Sequence, residues 1–309
     1  MQKFSVADFN TMFPDEGACL ESIVGLIYPE FAEGGIPCRA CEKVTKHHKL
    51  AKRRAWSCDN CGTHVYPLAG TIFEKSTTPL KSWMYALYLM ASTRCGISAK
   101  QLERELAVTY KTAWRMFKEI RKLFAEDVTL EGQLVELDET YVGGSDKNRH
   151  ASKRSGKSGR GAGGKAVVFG AVERQGRVLA QVVTDASSRS ILPIVKEKVL
   201  ESSVVYTDEW PAYNRLGSMG YEHRRVHHAA RVYVMGDAHT NTMEGFWSLV
   251  KRGISGVHHA VSEKYLQAYF DEYGFRYNHR DDEASMYAVM LDRIPRVRAG
   301  KHGEYAPLD

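Results

Sequence analysis

The chain has 309 residues, of which 43% are hydrophobic and 26% are charged, a balance that is ordinary for a soluble globular protein with more than one domain. Its net charge of +6 at pH 7 favours a polyanionic partner, because the basic residues are clustered. The longest apolar run, residues 83–91, is far shorter than the ~18 residues that span a bilayer, and the first ten residues lack a signal-peptide core. These features argue against a membrane or secreted protein and predict an intracellular one.

Four of the six cysteines form two C-x-x-C pairs, Cys38 with Cys41 and Cys58 with Cys61, and sixteen residues separate the pairs. At this spacing four thiolates converge on one tetrahedral zinc ion, so residues 36–70 are predicted to form a zinc ribbon. A redox dithiol is the alternative, but it needs only one pair. The basic stretch between the pairs is equally compatible with phosphate contacts and with a solvated hairpin.

A helix-turn-helix is predicted after the ribbon. Ser98 and Gln101 have the spacing of a capping box, and Thr109 is a second N-cap that precedes an amphipathic helix. Two short helices joined by a tight turn are typical of DNA-binding proteins, although such pairs also occur in proteins that never meet nucleic acid. The inward side of the second helix is predicted to carry the apolar residues Trp114, Phe117 and Ile120. Its outward side, which would meet DNA, is predicted to carry Tyr110, Lys111, Arg115 and Lys118.

From residue 133 the pattern changes to strands that alternate with helices. Three strands come first, and the second and third are predicted to form a hairpin that turns at Gln175 and Gly176. A helix, a strand, a turn, another strand and a further helix follow. This order is the α/β layout of a ribonuclease-H-like domain, in which a mixed sheet is flanked by helices.

A basic loop, residues 143–165, separates the first two predicted strands. From residue 145 to residue 165 there are seven basic residues and one acidic residue, with almost no apolar side chain, so this stretch cannot form a core. We expect it either to grip DNA phosphates near the reaction centre or to be only a flexible excursion. Its candidate DNA-binding residues are Lys153, Arg154, Lys157 and Arg160.

Three carboxylates are predicted to lie close together. Asp138 and Asp208 each close an apolar strand-like run, and Glu244 begins an amphipathic helix that can pack across the edge of the sheet. Lys251 and Arg252 lie further along the same helix and are candidates for phosphate contacts, with a solvated surface position as the alternative. Helical periodicity predicts a polar face that carries Glu244, Trp247, Ser248 and Lys251. The buried face is predicted to carry Phe246, Leu249 and Val250.

The three acids suit two divalent ions. A carboxylate beside buried strands is costly unless a metal or a donor compensates it, and oxygen ligands select Mg²⁺ or Mn²⁺. Phosphodiester cleavage by this route needs carboxylates that hold two ions about 3.5–4 Å apart. Asp138 would bridge both ions, and Asp208 and Glu244 would each complete one side. Asp237 is a rival third carboxylate, but it falls in a Gly-containing loop.

These residues match those of a known family. The chain resembles the DDE transposases of bacterial insertion sequences, namely the group with an N-terminal zinc ribbon and a ribonuclease-H-like catalytic domain. The resemblance covers nearly the whole chain and rests on the paired cysteines and the motifs LDETYVGG, YTDEWPAY, HTNTMEGFWSLVKRGISGVHH and FRYNHR, in that order. The thirty-five residues between Asp208 and Glu244 are also similar to the spacing in retroviral integrases. The resemblance implies that Asp138, Asp208 and Glu244 form the catalytic triad, and that Lys251 corresponds to a lysine seven residues after the third acid.

The resemblance further implies a transposase that binds the terminal inverted repeats of its own element and joins their 3′ ends to target DNA. Structural zinc, catalytic Mg²⁺ or Mn²⁺, self-association on DNA and a bacterial cytoplasmic location are expected, with no membrane partner. Two other functions remain open. One is a zinc-ribbon regulator that binds DNA without cutting it, such as a domesticated transposase, and the other is a structure-selective nuclease that cuts without joining.

The sequence therefore predicts five segments along the chain. They are an N-terminal helical segment at 1–35, the zinc ribbon at 36–70, the helix-turn-helix domain at 71–127, the catalytic domain at 133–282, and a C-terminal helix and tail at 283–309.

Overall fold

The computed structural model of the protein describes residues 4–143, 165–226 and 241–296. Both helices and strands contribute to the fold, and the largest sheet is mixed, so the α/β class predicted from the sequence is confirmed. None of the helices in these three ranges is long and apolar enough to cross a membrane.

Two compact units divide the chain. One contains Met1–Phe124 together with Asp281–Asp309, and the other contains Ala125–Arg280. The five segments predicted from the sequence are a finer division, and their boundaries stay predictions.

The first unit begins with two helices, α1 (Val6–Met12) and α2 (Glu16–Ile27). Five short strands follow, namely β1 (Ile36–Cys38), β2 (Lys43–Thr45), β3 (His47–Lys49), β4 (Trp56–Cys58) and β5 (His64–Val65). They form an antiparallel pair, β1–β2, and an antiparallel three-stranded sheet, β3–β4–β5. Because Cys38 ends β1 and Cys58 ends β4, each C-x-x-C pair starts where a strand gives way to a turn.

Three helices complete this part of the first unit, in the order α3 (Leu80–Ser92), α4 (Ala99–Leu106) and α5 (Tyr110–Arg121). The Ser98 hydroxyl accepts the N–H of Gln101 at 3.1 Å, and the Thr109 hydroxyl accepts that of Thr112 at 3.4 Å, so both predicted N-caps are confirmed. Ala107 ends α4 in the left-handed conformation, with φ of 50°, which turns the chain sharply into α5.

The second unit is built on one five-stranded sheet. Its elements are β6 (Leu134–Val142), β7 (Ala166–Glu173), β8 (Val178–Val183), α6 (Ser188–Lys198), β9 (Val204–Thr207) and β10 (Glu222–Arg225). The spatial order is β10–β9–β6–β7–β8, in which β6, β7 and β8 are antiparallel neighbours and β9 and β10 run parallel to β6. The predicted hairpin between β7 and β8 is confirmed, and Gln175 in its turn has a φ of 63°.

Helices cover both faces of this sheet. Two of them, α7 (Asn241–Gly253) and α8 (Leu266–Asn278), follow β10 in the chain. All eight residues of β7 are buried, and they alternate between two cores: Phe169 packs into the core that contains residues of α6, and Val168 into the core that contains residues of α7 and α8. A strand buried on both faces is expected to be almost continuously apolar, as the sequence of β7 is.

One detail differs from the sequence-based expectations. Asp138 lies within β6 rather than at its end, because antiparallel pairing with β7 continues as far as Val142. A 3-10 turn, Glu263–Tyr265, directly precedes α8. The final helix, α9 (Met286–Asp292), belongs to the first unit.

Candidate active site

Asp138 occupies the centre of β6, where its cross-strand partner is Gly170 of β7. A Cβ atom at Gly170 would collide with Met243 and Trp247 of α7, so the absence of a side chain lets the helix lie directly on the strand. Trp247 uses this space, and its indole N–H donates a hydrogen bond to Asp138 Oδ2 at 2.9 Å. The carboxylate is therefore oriented by a buried ring from the helix that also carries Glu244.

Helix α7 does not divide into faces quite as predicted. Trp247 was expected on the polar face, but it is only 4% exposed, because its ring packs in the core while its N–H reaches Asp138. Leu249, expected on the buried face, is only half-buried. The predicted polar residues Glu244, Ser248 and Lys251 are exposed.

Asp208 follows directly after β9, as predicted. Its Oδ1 accepts the backbone N–H of Trp210 at 2.9 Å, which fixes the turn that leaves the strand. Since β9 runs parallel to β6 and Tyr206 pairs with Glu136, continuing that register brings Asp208 level with Asp138. Two of the three predicted acids thus lie on neighbouring strands at the same height of the sheet.

The electrostatics of Asp138 indicate that both other acids lie near it. The pKa of Asp138 is raised to about 6, chiefly by burial and also by the negative charges of Asp208 and Glu244, against the lowering effect of the hydrogen bonds from the Glu139 backbone and from Trp247. Each of these carboxylates therefore makes ionisation of Asp138 more costly. A bound cation would relieve that cost.

A fourth acid, Glu139, lies near Asp138 and Asp208 and was missed in the sequence. The Tyr213 hydroxyl donates to Glu139 Oε2 at 2.7 Å. The pKa of Glu139 is raised to about 7, chiefly by burial and to a smaller extent by the charges of Asp208 and Asp138. The available signal was that Glu139 directly follows Asp138 within the same predicted strand.

A cleft of about 550 Å³ opens at three of these acids, Asp138, Glu139 and Glu244. Lys251 and Arg252 are both exposed on its rim, near the C-terminal end of α7, so negative and positive side chains meet in one opening. The residues that line the cleft are Asp138, Glu139, Thr140, Glu244, Trp247, Ser248, Lys251, Arg252 and Ser255. Such an opening can accept a polyanion by its basic rim and bring it to the carboxylates.

The three acids are less tightly grouped than the thiolates of the first unit. Among the described residues, the donor atoms of the four cysteines all lie within 4.8 Å of one another, and those of the three acids do not. Asp138 interacts electrostatically with both Asp208 and Glu244, so it is the acid that the other two have in common.

The four thiolates of the first unit form the second candidate metal site. Cys38 Sγ lies 3.6 Å from Cys61 Sγ, and Cys41 Sγ lies 3.8 Å from Cys58 Sγ. Tetrahedral zinc with Zn–S bonds of about 2.3 Å requires sulfur–sulfur separations of about 3.8 Å, so the geometry fits that ion. The Thr45 hydroxyl lies 3.2 Å from Cys58 Sγ and is the largest of several hydrogen-bond partners that together lower the pKa of that thiol to about 6, which favours the thiolate form that binds metal. The pKa of Cys41 is raised, because neighbouring thiols and burial oppose its ionisation.

The outward residues of α5 differ in their availability. Lys111 is exposed and Lys118 is half-buried. The guanidinium of Arg115 is exposed but donates to the backbone carbonyls of residues 74–75, so part of its donor capacity is already used. Trp114, expected to pack inwards, is only half-buried. Of these three basic residues, Lys111 and Arg115 are therefore the exposed ones, and their contact with DNA stays a prediction.

Five further predicted positions lie outside the described residues. Four are the basic loop residues Lys153, Arg154, Lys157 and Arg160, and the fifth is the rival acid Asp237. The structure neither supports nor contradicts these predictions.

The fold and the site define a mixed α/β domain that presents clustered carboxylates in a cleft with a basic rim. Residues 129–278 match the family model of the ISXO2-like transposase domain. A protein of the transposable element ISH50 of Halobacterium salinarum is 32% identical over 257 residues, which cover 78% of this chain and 85% of that protein. The chain therefore belongs to the DDE transposases of insertion sequences, and the resemblance seen in the sequence is confirmed.

Two more distant similarities complete the comparison. A transposase-like protein of Haemophilus influenzae is 28% identical over 105 residues, covering 34% of this chain and 84% of that protein. The crystal structure of a pre-cleavage Mos1 transpososome has 12% sequence identity over 69% of this chain and 75% of that chain. Its TM-score of 0.28 is too low for the two sites to be compared.

Proposed function

We propose that this protein binds the terminal inverted repeats of its own insertion sequence, cuts the DNA there and joins the 3′ ends to target DNA. The observation that carries the proposal is Asp138, whose pKa is raised to about 6 beside Asp208 and Glu244, in a cleft whose rim carries Lys251. Clustered carboxylates of this kind are costly without cations, and the transposase family supplies a reaction that uses them.

The proposed ligands of the divalent ions are Asp138, shared between two ions, and Asp208 and Glu244 on either side. Bound Mg²⁺ or Mn²⁺ would supply an activated hydroxyl nucleophile and stabilisation of the leaving oxygen. Trp247 holds Asp138 Oδ2 in place by its indole N–H, so the central carboxylate is oriented before any ligand arrives. Glu244 is exposed on the first turn of α7, where it meets the cleft without rearrangement.

Lys251 and Arg252 are proposed to contact phosphates of the bound strand. Both are exposed and both line the cleft with the acids, so a strand that follows the rim brings its phosphodiester to Asp138 and Glu244. The basic loop residues Lys153, Arg154, Lys157 and Arg160 are proposed to add further phosphate contacts. Their contribution would make binding strongly dependent on salt.

The first unit is proposed to recognise the inverted repeats. In this proposal the four thiolates hold a structural zinc ion in a ribbon, and α4 and α5 act as a helix-turn-helix whose second helix presents Lys111, Arg115 and Lys118 to DNA. Two element ends must be brought together before joining, so self-association on DNA is part of the same proposal. The reaction would take place on chromosomal DNA in the bacterial cytoplasm.

The sheet of the second unit supports a ribonuclease-H-like assignment. Three antiparallel strands are followed by a helix and by strands parallel to the first, and the first strand and its parallel neighbour carry Asp138 and Asp208. Helix α7 lies against the first strand, because Trp247 donates to Asp138, and the same helix carries Glu244. Glu244 on α7 is therefore proposed as the third member of the triad.

The experiment is Mg²⁺-dependent cleavage and joining on DNA that carries the element ends, comparing wild type with Glu244→Gln. The substitution removes one charge from an exposed side chain and should leave end binding intact. Glu263→Gln, the same change at an exposed glutamate outside the cleft, is the matched control. We expect joined product from wild type and from the control, and none from Glu244→Gln or under a chelator.

The other outcomes separate the alternatives. Tight binding of element ends without cleavage would identify a DNA-binding regulator. Cleavage of branched or hybrid substrates without joining would identify a nuclease. Normal joining by Glu244→Gln would remove Glu244 from the site.

A further inference from the structure

Glu136 is a fully buried carboxylate in β6 that accepts hydrogen bonds from at least four donors. Its Oε2 accepts the backbone N–H groups of Thr242 and Met243 at 2.9 and 3.1 Å. Its Oε1 accepts the Thr242 hydroxyl at 2.9 Å and the Arg174 Nε–H at 2.8 Å. Three of these four donors belong to the first turn of α7.

The side chain of Glu136 thus links two elements that carry proposed metal ligands. Glu136 and Asp138 lie two positions apart on β6, which places them on the same face of the sheet about 7 Å apart along the strand. The anchored residues Thr242 and Met243 immediately precede Glu244. The Glu136 carboxylate therefore joins β6 to α7 close to both ligands. On β6 it lies two residues from Asp138, and on α7 it holds Met243, the residue directly before Glu244.

The choice of a carboxylate follows from the end of the helix that it meets. The first backbone N–H groups of a helix have no partner within the helix, and the N-terminus carries a partial positive charge. Arg174 balances the remaining charge, and its guanidinium lies 4.5 Å from the ring centroid of Tyr206. A buried ion pair of this kind seldom adds net stability over apolar packing, so stability alone does not explain Glu136.

Trp247 provides a second attachment between the same two elements. It lies one turn beyond Met243 and donates to Asp138 itself. Between the two attachments, at Glu136 and at Trp247, lies Glu244. The first turn of α7 is therefore held at both ends against β6, with the proposed ligand in between.

We propose that Glu136 is a positioning residue for the divalent-ion site, which sets the separation between the carboxylates of Asp138 and Glu244. The inference rests on the proposed function, because it assumes that these two acids hold ions. Productive geometry in such sites tolerates displacements of only about 0.5 Å, and loss of a supporting hydrogen-bond partner typically lowers metal affinity about 10- to 100-fold. Glu136 touches neither ion nor substrate, and it acts through the first turn of α7.

The test compares Mn²⁺ binding by Glu136→Gln with that by a matched variant, Glu173→Gln, in the full, zinc-loaded protein without DNA. Glu173 is also buried, at 9% exposed, and holds the backbone N–H groups of Gly132 and Arg177 at 2.8 and 2.9 Å, but it touches no residue of α7 in the described hydrogen bonds. Free Mn²⁺ is followed by electron paramagnetic resonance. Thermal unfolding of both variants is recorded alongside.

We expect Glu136→Gln to weaken Mn²⁺ binding about 10- to 100-fold. The NH2 group of the glutamine amide is itself a donor, so it cannot accept the two hydrogen bonds made to the carboxylate oxygen that it replaces. Glu173→Gln should lose thermal stability but keep wild-type Mn²⁺ affinity. The inference is overturned if Glu136→Gln binds Mn²⁺ as wild type does, if Glu173→Gln loses affinity equally, or if wild type binds no Mn²⁺ at these acids.

A milder variant covers the case in which Glu136→Gln does not fold. Thr242→Val removes only the hydroxyl donor and leaves the backbone N–H groups of α7 in place. It should weaken Mn²⁺ binding by a few-fold, and unchanged affinity would overturn the inference. A wild-type protein that binds Mn²⁺ but neither cuts nor joins element ends would instead contradict the proposed function and leave the role of Glu136 to be decided by the same titrations.

Discussion

The two candidate metal sites of this protein are built in opposite ways. The four thiolates come from one short stretch, residues 38–61, whose strands have two or three residues each. The carboxylates come from β6, from the end of β9 and from α7; strand pairing joins β9 to β6, and buried contacts of Glu136 and Trp247 hold α7 against β6. Donors that are close in the chain need an ion to complete their fold, whereas donors far apart in the chain need a completed fold to meet.

Under the proposed function, the ions of the two sites would have different tasks. A segment with so little core would depend on zinc for its stability. The sheet of the second unit has two apolar cores of its own, and its carboxylates repel one another, so ions there would relieve a cost that the fold already bears. Removing metal should therefore unfold the first site and leave the second folded.

Cys58→Ser should have the largest effect, because it breaks the thiolate site. Structural zinc contributes roughly 10 kcal/mol or more to small zinc-dependent folds, and serine does not replace a thiolate. We expect loss of bound zinc and rapid proteolysis within residues 36–70, without loss of Mn²⁺ binding by the carboxylates. Cys19→Ser, at a buried thiol outside the site, should keep its zinc. Stoichiometric zinc in Cys58→Ser would contradict the assignment.

Asp138→Asn should abolish catalysis while sparing the fold. Divalent ions in such sites supply several kcal/mol of transition-state stabilisation, which corresponds to a loss of roughly 10³-fold or more in the cleavage rate. Because the change removes one of several mutually repelling charges, the melting temperature should not fall. The measurement is single-turnover cleavage together with thermal unfolding. A rate within tenfold of wild type would show that Asp138 is not a ligand.

Glu139→Gln should change the dependence of stability on pH. The pKa of Glu139 is raised from 4.5 to about 7 in the folded protein, so the folded state holds the proton more tightly than the unfolded state does. Stability is therefore lost as pH rises from about 4.5 to about 7, by roughly 2–3 kcal/mol from this group. Glutamine cannot ionise, so the variant should gain stability relative to wild type over that range. The measurement is urea unfolding of wild type and variant at pH 5 and pH 8 without added divalent metal, followed by a signal from the second unit. The same change of unfolding free energy with pH in both proteins would contradict the prediction.

Gly170→Ala should have the smallest of these effects. The added methyl group would meet Met243 and Trp247, and overpacking of this kind costs about 1–3 kcal/mol. Gly245→Ala, on the exposed side of α7 with nothing near the added atom, should instead stabilise the protein by about 0.5–1 kcal/mol. Thermal unfolding distinguishes the two. Equal melting temperatures for both variants would mean that α7 does not rest on β7 at Gly170.

The thiolate site was predictable because its information is local. The spacing of Cys38, Cys41, Cys58 and Cys61 fixes the donor set, and the sulfur–sulfur separations in the structure agree with it. The position of Asp208 was predictable for a similar reason, since the apolar run that precedes it ends at that residue.

The surroundings of Asp138 were not predictable, because they depend on register and on a distant helix. Its place within β6 follows from pairing with Gly170, which no local pattern specifies. Glu136 was passed over because an acid between Val135 and Leu137 gains its role only when Thr242 docks on it. Arg115 was predicted to be free for DNA, and its bonds to carbonyls 74–75 depend on tertiary contacts.

The proposed ion site is tested most directly by locating Mn²⁺ by anomalous diffraction in crystals of the protein bound to element-end DNA. We predict Mn²⁺ within about 2–2.5 Å of carboxylate oxygens of Asp138, with Asp208 and Glu244 completing the coordination. Mn²⁺ bound elsewhere, in a protein that still cuts and joins the ends, would contradict the central claim that these three acids hold the ions of the reaction.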